Sequence, residues 1–585
     1  MRAVSASERL GVTERYFVLS NNSAPPLRIG LMLDGPELPG PHAGVVELIE
    51  RSNFAAIVAH IYPVRDRTKA TELPKLSVLV RLWRMLNHER TRRRVLFSAF
   101  EKWDARAHPD SAGVFELKNV QQNCTGLKIV HVSAKRAGFI DRFTTEDVAR
   151  LRDLQLDVLL RFGFGILRGD ILNCARFGVW SFHHGDNTHY RGSPPQFWEM
   201  FERSDITGAL LQVLNESLDN GLVLGKVHTA LFPGMSLLVN RVAPYLTAQP
   251  LVIQKLKRLH EAGWKTVCAE AVPDEPYCGK RPLYRAPNNL EMLRFAGHHI
   301  QRRIRNRVLR TIKRDADHCQ WRVGVRARRA GHPWEGKWDG WRWVTAPAGH
   351  YYADPMLWDE GGRTFLFVED YIIAEKRGII AVAEVGGDGE VGSFGTALAL
   401  PYHLSFPHIF SRDDARFMIP ETKACARVEV FRCVSFPFDW RPERVLLNVE
   451  GVDTVLHKGR DGREYLFTSV AHRPGAQVAL YLFHADSIWG EWRIHSLSPL
   501  SVDVRISRNG GSILMEPGIG PVRISQDNTG LYGRQMHFHR VAALSAQDYG
   551  EEAIGTRSTA GIVRALGTHT YSRSERFEAT DVFGW

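Results

Sequence analysis

Two sets of residues carry groups suited to acid, base and electrostatic chemistry. The first lies in GVWSFHHGDNTHYRGSPPQFWEMFERSDITGALLQVLNESLDNGLVLGK, residues 178–226. There His183 closes an apolar run, Tyr190, Arg191 and Gly192 end the loop behind it, and Asp219 follows. A histidine so placed can donate to a developing negative charge or take a proton, and a carboxylate can hold it in orientation. A lone histidine at a strand end is more simply a loop hydrogen-bonder, so the functional reading rests on the ordered set. The second set is acidic: Asp354, Glu421 and Asp453, with Asp503 and Asp527 beyond them. Two carboxylates about 6.5–9.5 Å apart across a sugar ring suit inverting hydrolysis. The same residues can instead cap turns and tie neighbouring loops together. His403, His408, Arg505, Arg508 and Tyr532 add polar groups that could touch a glycan.

The elements that must position these groups differ between the two halves. LRIGLML from Leu27, a Gly/Pro-rich break, helically spaced VVELIERS and apolar AAIVAHIY read as strand, loop, helix and strand. LKIVHVS near Ile129 predicts another buried strand, FTTEDVARLRDLQ a helix with a Thr cap and acids in its first turn, and LDVLLRFGFGIL a further strand. Such alternation predicts a doubly wound α/β domain over residues 25–245, with ligands at the carboxyl ends of its strands. DGPELPG lacks the GxGxxG spacing, and no dinucleotide is proposed. Between residues 300 and 314, Ile300, Ile304, Val308 and Ile312 alternate with seven Arg and Lys residues, predicting a basic amphipathic helix in a 246–329 linker. Its stripe can pack on a domain or lie on an anionic membrane surface; nucleic acid is not expected. Past residue 330, segments headed ADPMLWDEGGRTFLFVED, FPHIFSRDDARFMIPET and VDTVLHKGRDGREYLFTS recur about every 50 residues, the size of a propeller blade. About five such units fit residues 330–548, leaving a 1–24 extension and a 549–585 tail.

Composition sets the outer bounds. With 585 residues, 44% hydrophobic and 24% charged, the chain is neither disordered nor collagenous, and at roughly 150 residues per domain it holds more than one core. The +12 net charge comes from mixed signs, not a basic tail. Seven scattered cysteines without a CxxC pair predict a reduced protein lacking structural zinc. No apolar run reaches about 18 residues and no export signal opens the chain, so the expected location is cytoplasmic, with peripheral contact at the inner membrane surface through residues 300–314.

The first constellation resembles the formyltransferase family that uses 10-formyltetrahydrofolate, in which Asn-x-His closes a strand, a loop ends in Tyr-Arg-Gly, and Thr-Gly and Leu-Asp-x-Gly follow. His183, Tyr190, Arg191, Gly192, Thr207, Gly208, Leu218, Asp219 and Gly221 match in order. Formyl transfer to an amine passes through a tetrahedral intermediate, which needs an oxyanion donor and a base. The resemblance implies that His183 and Asp219 are catalytic, that Phe162, Gly163, Phe164 and Gly165 grip the pterin through backbone groups, and that Asn187, Tyr190 and Arg191 face the acceptor. Ser181 stands where the family has asparagine, and losing an oxyanion donor costs a factor of about 10² to 10³. Either the substrate sits closer to the Ser181 hydroxyl, or another donor such as His184 or Asn187 compensates, or the domain no longer transfers formyl groups. The family's apolar loop after the histidine has become His184-Gly185-Asp186-Asn187-Thr188, which implies a changed acceptor pocket.

The second constellation resembles the amino-terminal propeller domain of plant glucosamine inositolphosphorylceramide transferase, itself similar to five-bladed glycoside hydrolases. ADP at 353–355, PYHLSFP at 401–407, MIPET at 418–422, VDT at 452–454 and QDNTGLYG at 526–533 carry that likeness. It implies that Asp354, Glu421 and Asp453, with Asp503 and Arg505, contact a sugar at the central axis. Together the halves imply a formyltransferase acting on an amino group of a sugar-containing acceptor. The rivals are a glycoside-acting propeller and a noncatalytic glycan-binding protein.

Overall fold

A computed structural model describes residues 11–64, 94–121, 127–217, 220–312, 320–335 and 337–584. The chain forms two compact units, Thr13–Val308 and a second built on Leu309–Trp585.

In the first unit, Leu27–Met32 is a central strand of a seven-stranded sheet. Ala55–Pro63 and Val158–Arg161 flank it in parallel, Val179–His183 continues the parallel set beyond Val158–Arg161, and Ile206–Val213 and Leu222–Ala230 finish that side antiparallel. Ile29, Leu31, Val158 and Leu159 are fully buried, the mark of a sheet covered on both faces. Lys128–Val132 departs from expectation. It lies at the sheet edge, buries only Val132 and leaves Ile129 49% exposed, because an edge strand has cover on fewer sides.

The helices follow local chemistry. Thr144 caps Thr145–Arg152 by accepting from the Asp147 N–H at 3.1 Å, with Glu146 and Asp147 in the first turn. Gly40–Glu50 starts on a proline and buries Val45, Val46, Leu48 and Ile49. The helical span Leu237–Ala269, kinked at Gly263, passes the expected boundary at residue 245. Its Pro244 and Pro250 read as breaks in the sequence, yet both are buried inside the helix, and Leu251, Val252, Ile253 and Leu256 pack into the unit. Residues of the expected 1–24 extension are also part of this unit: Phe17 and Val18 are buried, and Lys257 Nζ donates to the Tyr16 carbonyl at 2.7 Å. Asn289–Ile312 is helical, with Met292 and Phe295 buried against Phe197 and Trp198. The side chains of Ile300, Ile304, Val308, Ile312 and the intervening basic residues, and the whole of residues 313–314, lie outside the described residues. Among the described residues no helix is long and apolar enough to cross a membrane.

The second unit is a series of five antiparallel sheets. Three consecutive ones, His350–Leu398, Ser405–Leu447 and Val452–Ile494, have four strands each, and a fourth spans Arg508–Ser558. The fifth joins the two ends of the unit, since Gln320–Ala327 pairs along its length with Phe577–Gly584. Residues 549–585 are thus not a tail, nor are residues 320–329 a linker. A sheet closed between distant segments leaves no local periodicity to read. Phe367, Ile380, Phe406, Met418, Phe431, Val455, Phe467 and Leu482 form one core across three sheets. The first strands of those sheets share a device: the ladder slips between Ala353 and Met356, Ser405 and His408, and Val452 and Val455. Asp354, Phe406 and Asp453 sit at these bulges with φ of 51°, 46° and 49°. Each bulge re-aims its residue, and two of the three are carboxylates.

Candidate functional site

His183 ends its strand at the carboxyl edge of the parallel set and is 8% exposed. Its Nε2 lies 2.9 Å from the Tyr190 carbonyl, which only accepts, so Nε2 carries the proton. Gly185 makes this contact possible, because a Cβ there would stand 3.1 Å from the Tyr190 oxygen and 3.2 Å from His183 Nε2. The loop is pinned from several sides. Arg191 Nε donates to the Asn187 carbonyl at 3.0 Å, its Nη2 to Asn220 Oδ1 at 3.2 Å, and its guanidinium covers Tyr277 at 4.5 Å. Tyr190 OH donates to Glu202 at 3.4 Å. Gly192, at φ 104°, would collide with the Tyr284 carbonyl if it carried a Cβ. Tyr190 and Arg191 therefore shape the loop. Asp219 and Leu218 lie outside the described residues.

Two expectations change here. The Ser181 hydroxyl donates to the Phe182 carbonyl at 3.3 Å and accepts from Arg161 Nη1 at 3.0 Å, so its single proton is already committed. Arg161 faces Ser181 across the sheet register and brings a guanidinium to the place. An arginine amid the apolar run of LDVLLRFGFGIL was the sign of it. The four N–H groups expected to grip a pterin are also taken. Phe162 and Gly163 donate to the Met32 carbonyl at 3.0 and 2.9 Å, Phe164 to Asp34 at 2.9 Å, and Gly165 to Asp141 at 2.5 Å. Gly163 and Gly165 are glycines because the chain's own backbone, at Asp34 and Phe139, comes too close for a Cβ. The Phe164 and Gly165 carbonyls accept from Arg161. Among the described residues, nothing donates to the carbonyls of Phe162 and Gly163, so this loop offers acceptors. Acceptors fit the N–H edge of an aminopyrimidinone, so the residues suit a folate by a different set of contacts from the expected one.

A neutral aromatic wall stands beside His183. His184 stacks on Tyr245 at 3.5 Å and 9°, and its Nε2 lies 3.4 Å from that of His42, whose ring is 5.2 Å from Phe162. Burial lowers His42 to about 4, and burial, then His42 and His183, put His184 well below the usual imidazole range. Asp186 is the charged counterpart. Burial would raise it, but His228, Lys226 at 2.6 Å and Thr188 outweigh that and hold it ionised. Thr207 bonds buried Glu199 at 3.1 Å, and Gly208 and Gly221 have no room for a Cβ beside Val227 and Val213. These motif positions are packing requirements.

In the second unit, Asp354 and Asp453 are 5% and 2% exposed, and the Asp354 N–H donates to a third carboxylate, Asp581, at 3.1 Å. His569 sits between Asp354, with Nε2 3.2 Å away, and Asp581, with Nδ1 2.9 Å away, under the Trp321 ring at 4.0 Å. Burial lowers an imidazole, but the two carboxylates outweigh it and raise His569 to about 10. Asp354, His569 and Asp581 have one ligand atom each within 4.8 Å of one another, the spacing that a metal would need. Arg508 grips Asp453 through Nε at 2.5 Å and Nη2 at 3.1 Å, and covers Tyr532 at 5.0 Å. Glu421 follows the same centre: burial, then Asp453, push it up to about 8 against Arg508. Glu369 was missed from sequence. It pairs with Ala353 as Glu421 pairs with Ser405, so aligning FVED with IPET would have found it. Burial, then Asp354 and Glu421, raise it well above the carboxylate range.

The other expected sugar contacts lie elsewhere. Asp503 and Arg505 bond each other in one turn, at 2.9 and 3.1 Å from Nε. Asp527 bonds Thr529, Gln535 and His537, and His408 is buried between Ser512 and the Leu456 N–H. His403 does reach the centre: Nδ1 accepts from Gly378 at 2.9 Å and Nε2 lies 3.7 Å from Glu369.

Comparison with known proteins divides at the same place. Residues 344–565 match the family model for the N-terminal domain of glucosamine inositolphosphorylceramide transferase 1. That domain occupies the carboxyl-terminal half. The Oryza sativa subsp. japonica transferase is 30% identical over 207 residues, covering 34% of this chain and 28% of the relative. Methionyl-tRNA formyltransferase of Prochlorococcus marinus (strain MIT 9303) is 30% identical over 118 residues, covering 20% of this chain and 34% of that enzyme. The chain thus spans about a third or less of the length of these relatives, all of them transferases. Among solved structures, a sugar N-formyltransferase from Shewanella sp FDAARGOS_354 covers 46% of this chain and 87% of its own at 14% identity and TM-score 0.24. A GH43 beta-xylosidase/alpha-arabinofuranosidase from a compost microbial metagenome covers 39% and 82% at 13% identity and TM-score 0.30.

Proposed function

We propose that the protein is a formyltransferase that moves a formyl group from 10-formyltetrahydrofolate to an amino group of a sugar-containing acceptor. In this reading the five sheets of the second unit form a five-bladed propeller that holds the sugar. The pairing of the first and last strands of that unit supports the ring, and the likeness of the two halves to a glucosamine transferase and to formyltransferases supports the pairing of activities.

One observation carries the reading. The Tyr190 carbonyl fixes the His183 proton on Nε2, leaving Nδ1 as the basic nitrogen for the proton that the amine must lose. When bound, 10-formyltetrahydrofolate supplies the electrophilic formyl carbon. The Phe162 and Gly163 carbonyls would hold its pterin edge. Arg161, fixed beside Ser181, brings a positive charge to the place where the asparagine's neutral amide donor is missing. His42, His184 and Tyr245, all neutral, keep water from that end of the site. Calorimetric titration with a stable 10-formyltetrahydrofolate analogue tests the cofactor: saturable binding is expected, and no binding overturns it.

A second reading has its own support, because an acid pushed up by burial beside a carboxyl gripped by an arginine, Glu421 beside Asp453, resembles the pairing that glycosidic cleavage uses. Under it, Glu421→Gln abolishes turnover of an aryl glycoside and His183→Ala does not.

A further inference from the structure

The acidic centre of the second unit is short of positive charge. Asp354, Glu369, Glu421, Asp453 and Asp581 converge there, with Arg508 and His569 as the cations facing them. Three of the five are provided for. Asp453 has Arg508 and Gln526, and Asp354 has His569, Thr570 and the Phe406 N–H. Asp581 has His569 and the N–H groups of Asp354, His569 and Thr570. The remaining two, Glu369 and Glu421, receive no hydrogen bond from any described residue. Glu369 is 7% exposed, and the nearest basic group to it, His403 Nε2, stands off at 3.7 Å. Glu421 is partly exposed, so the cluster opens to solvent on its side, while Glu369 is a buried carboxyl that receives no hydrogen bond; buried polar groups are nearly always satisfied, and this one points to a missing partner.

Their placement shows where that partner sits. Glu369 and Glu421 hold the same register position in neighbouring sheets, opposite the small residues Ala353 and Ser405. Around them are flat rings: Tyr351 stacked on Tyr371 at 4.7 Å, His403 at 6.1 Å from Tyr371, and Tyr532, which is 45% exposed. Aromatic faces beside paired hydrogen-bonding carboxyls suit a pyranose ring, with the carboxyls reaching its polar edge.

We propose that Glu369 and Glu421 bind the ammonium group of an amino sugar, so that the second unit selects the free amine over its acylated form. The choice of a sugar rests on the function proposed above; the need for a cation does not. An ammonium has donors only, and at least two of them would be met by these carboxyls. Burial, and after it the field of the Asp354 and Asp453 carboxylates, favours the protonated form of the two acids; a cation brought between them favours the ionised form, so binding expels protons. Arg508, His569, His403, Tyr351, Tyr532 and Lys423 are the other titratable groups facing the pair. A neutral sugar or a formamide gains nothing from that field. Formylation would therefore convert a retained ligand into a released one.

The test is calorimetry on the full chain without folate, so that it is independent of chemistry at His183. D-Glucosamine is titrated against D-glucose, N-acetyl-D-glucosamine and calcium chloride, in two buffers of different ionisation enthalpy. Glucosamine is expected to bind at least about ten-fold more tightly than either neutral sugar, with proton release. Glu421→Gln and Glu369→Gln, isosteric with the protonated acids, are expected to fold and together to weaken glucosamine by about ten-fold or more. Equal affinity for glucose, binding of calcium alone, unchanged affinity in the double variant, or no binding at all would each overturn it. Formyl transfer failing while this selectivity holds would count against the first unit alone.

Discussion

Both centres bury ionisable groups, and they resolve the cost in opposite ways. Around His183 the buried imidazoles of His42 and His184 are simply neutral, and the charged groups nearby, Asp186 with Lys226, Arg161 on Ser181 and Arg191 on Asn187, are each held by a partner. In the second unit charge is kept and matched, Arg508 on Asp453 and an imidazolium between Asp354 and Asp581, until the supply of cations runs out at Glu369 and Glu421. A site that must pass protons near neutral pH is served by neutral, uncharged surroundings. A site that must hold a ligand by charge is served by a residual field.

The sharpest way to break this contrast is at His183. If it is the base, His183→Ala lowers formyl transfer by about 10² to 10⁴ while leaving the second unit's melting unchanged. The next largest effect lies in the other centre. Arg508→Met strands a buried carboxylate and is expected to cost the second unit about 3–5 kcal/mol in denaturant unfolding. A loss near zero would mean that Asp453 is not ionised, and the matched-charge description would fail.

A smaller loss is expected from Gly192→Ala, about 1–3 kcal/mol in the first unit, because both its φ of 104° and the Tyr284 carbonyl resist a Cβ. Hydrogen exchange at Thr188–Arg191 would show the loop loosening first.

The smallest and most discriminating effects are in pH. His42 is lowered in the folded state to about 4, so the stability it contributes is present above the ordinary imidazole value and is lost as pH falls toward 4. His569 and Glu421 are raised, to about 10 and about 8, so their contributions are complete below their ordinary values and are lost as pH rises through those numbers. Between about pH 4 and 10 the part of the first unit's pH dependence that His42→Phe removes should lie toward acid, and the part of the second unit's that Glu421→Gln removes should lie toward base. Removed parts of the same sign, read by unit-resolved hydrogen exchange, would contradict the contrast.

Legibility in the sequence followed the same division. The parallel strands could be read because Leu27–Met32, Ala55–Pro63 and Val158–Arg161 are continuous apolar runs. Thr144 could be read as a cap because its chemistry is local. What escaped was whatever depends on a distant partner. The pairing of Gln320–Ala327 with Phe577–Gly584 joins the two ends of a unit, and nothing local marks it. Ser181 reads as a free donor, yet its proton goes to the Phe182 carbonyl and its oxygen accepts from Arg161 on the next strand. The glycines at 163 and 165 looked like an opening for a ligand, and they turn out to admit the chain's own backbone. Asp503 and Arg505 had the right types but found each other. Glu369 was recoverable, since it repeats Glu421 in register, but only if the acids are counted by strand position and not by motif.

The central claim is that the His183 centre transfers a formyl group to an amine. Its most direct test is transfer of isotopically labelled formyl carbon from 10-formyltetrahydrofolate to D-glucosamine by the full chain, followed by mass spectrometry, with His183→Ala alongside. The expected result is a labelled formamide with the unaltered protein and its loss in the variant. No labelled product from the unaltered protein, or equal product from both, would contradict it.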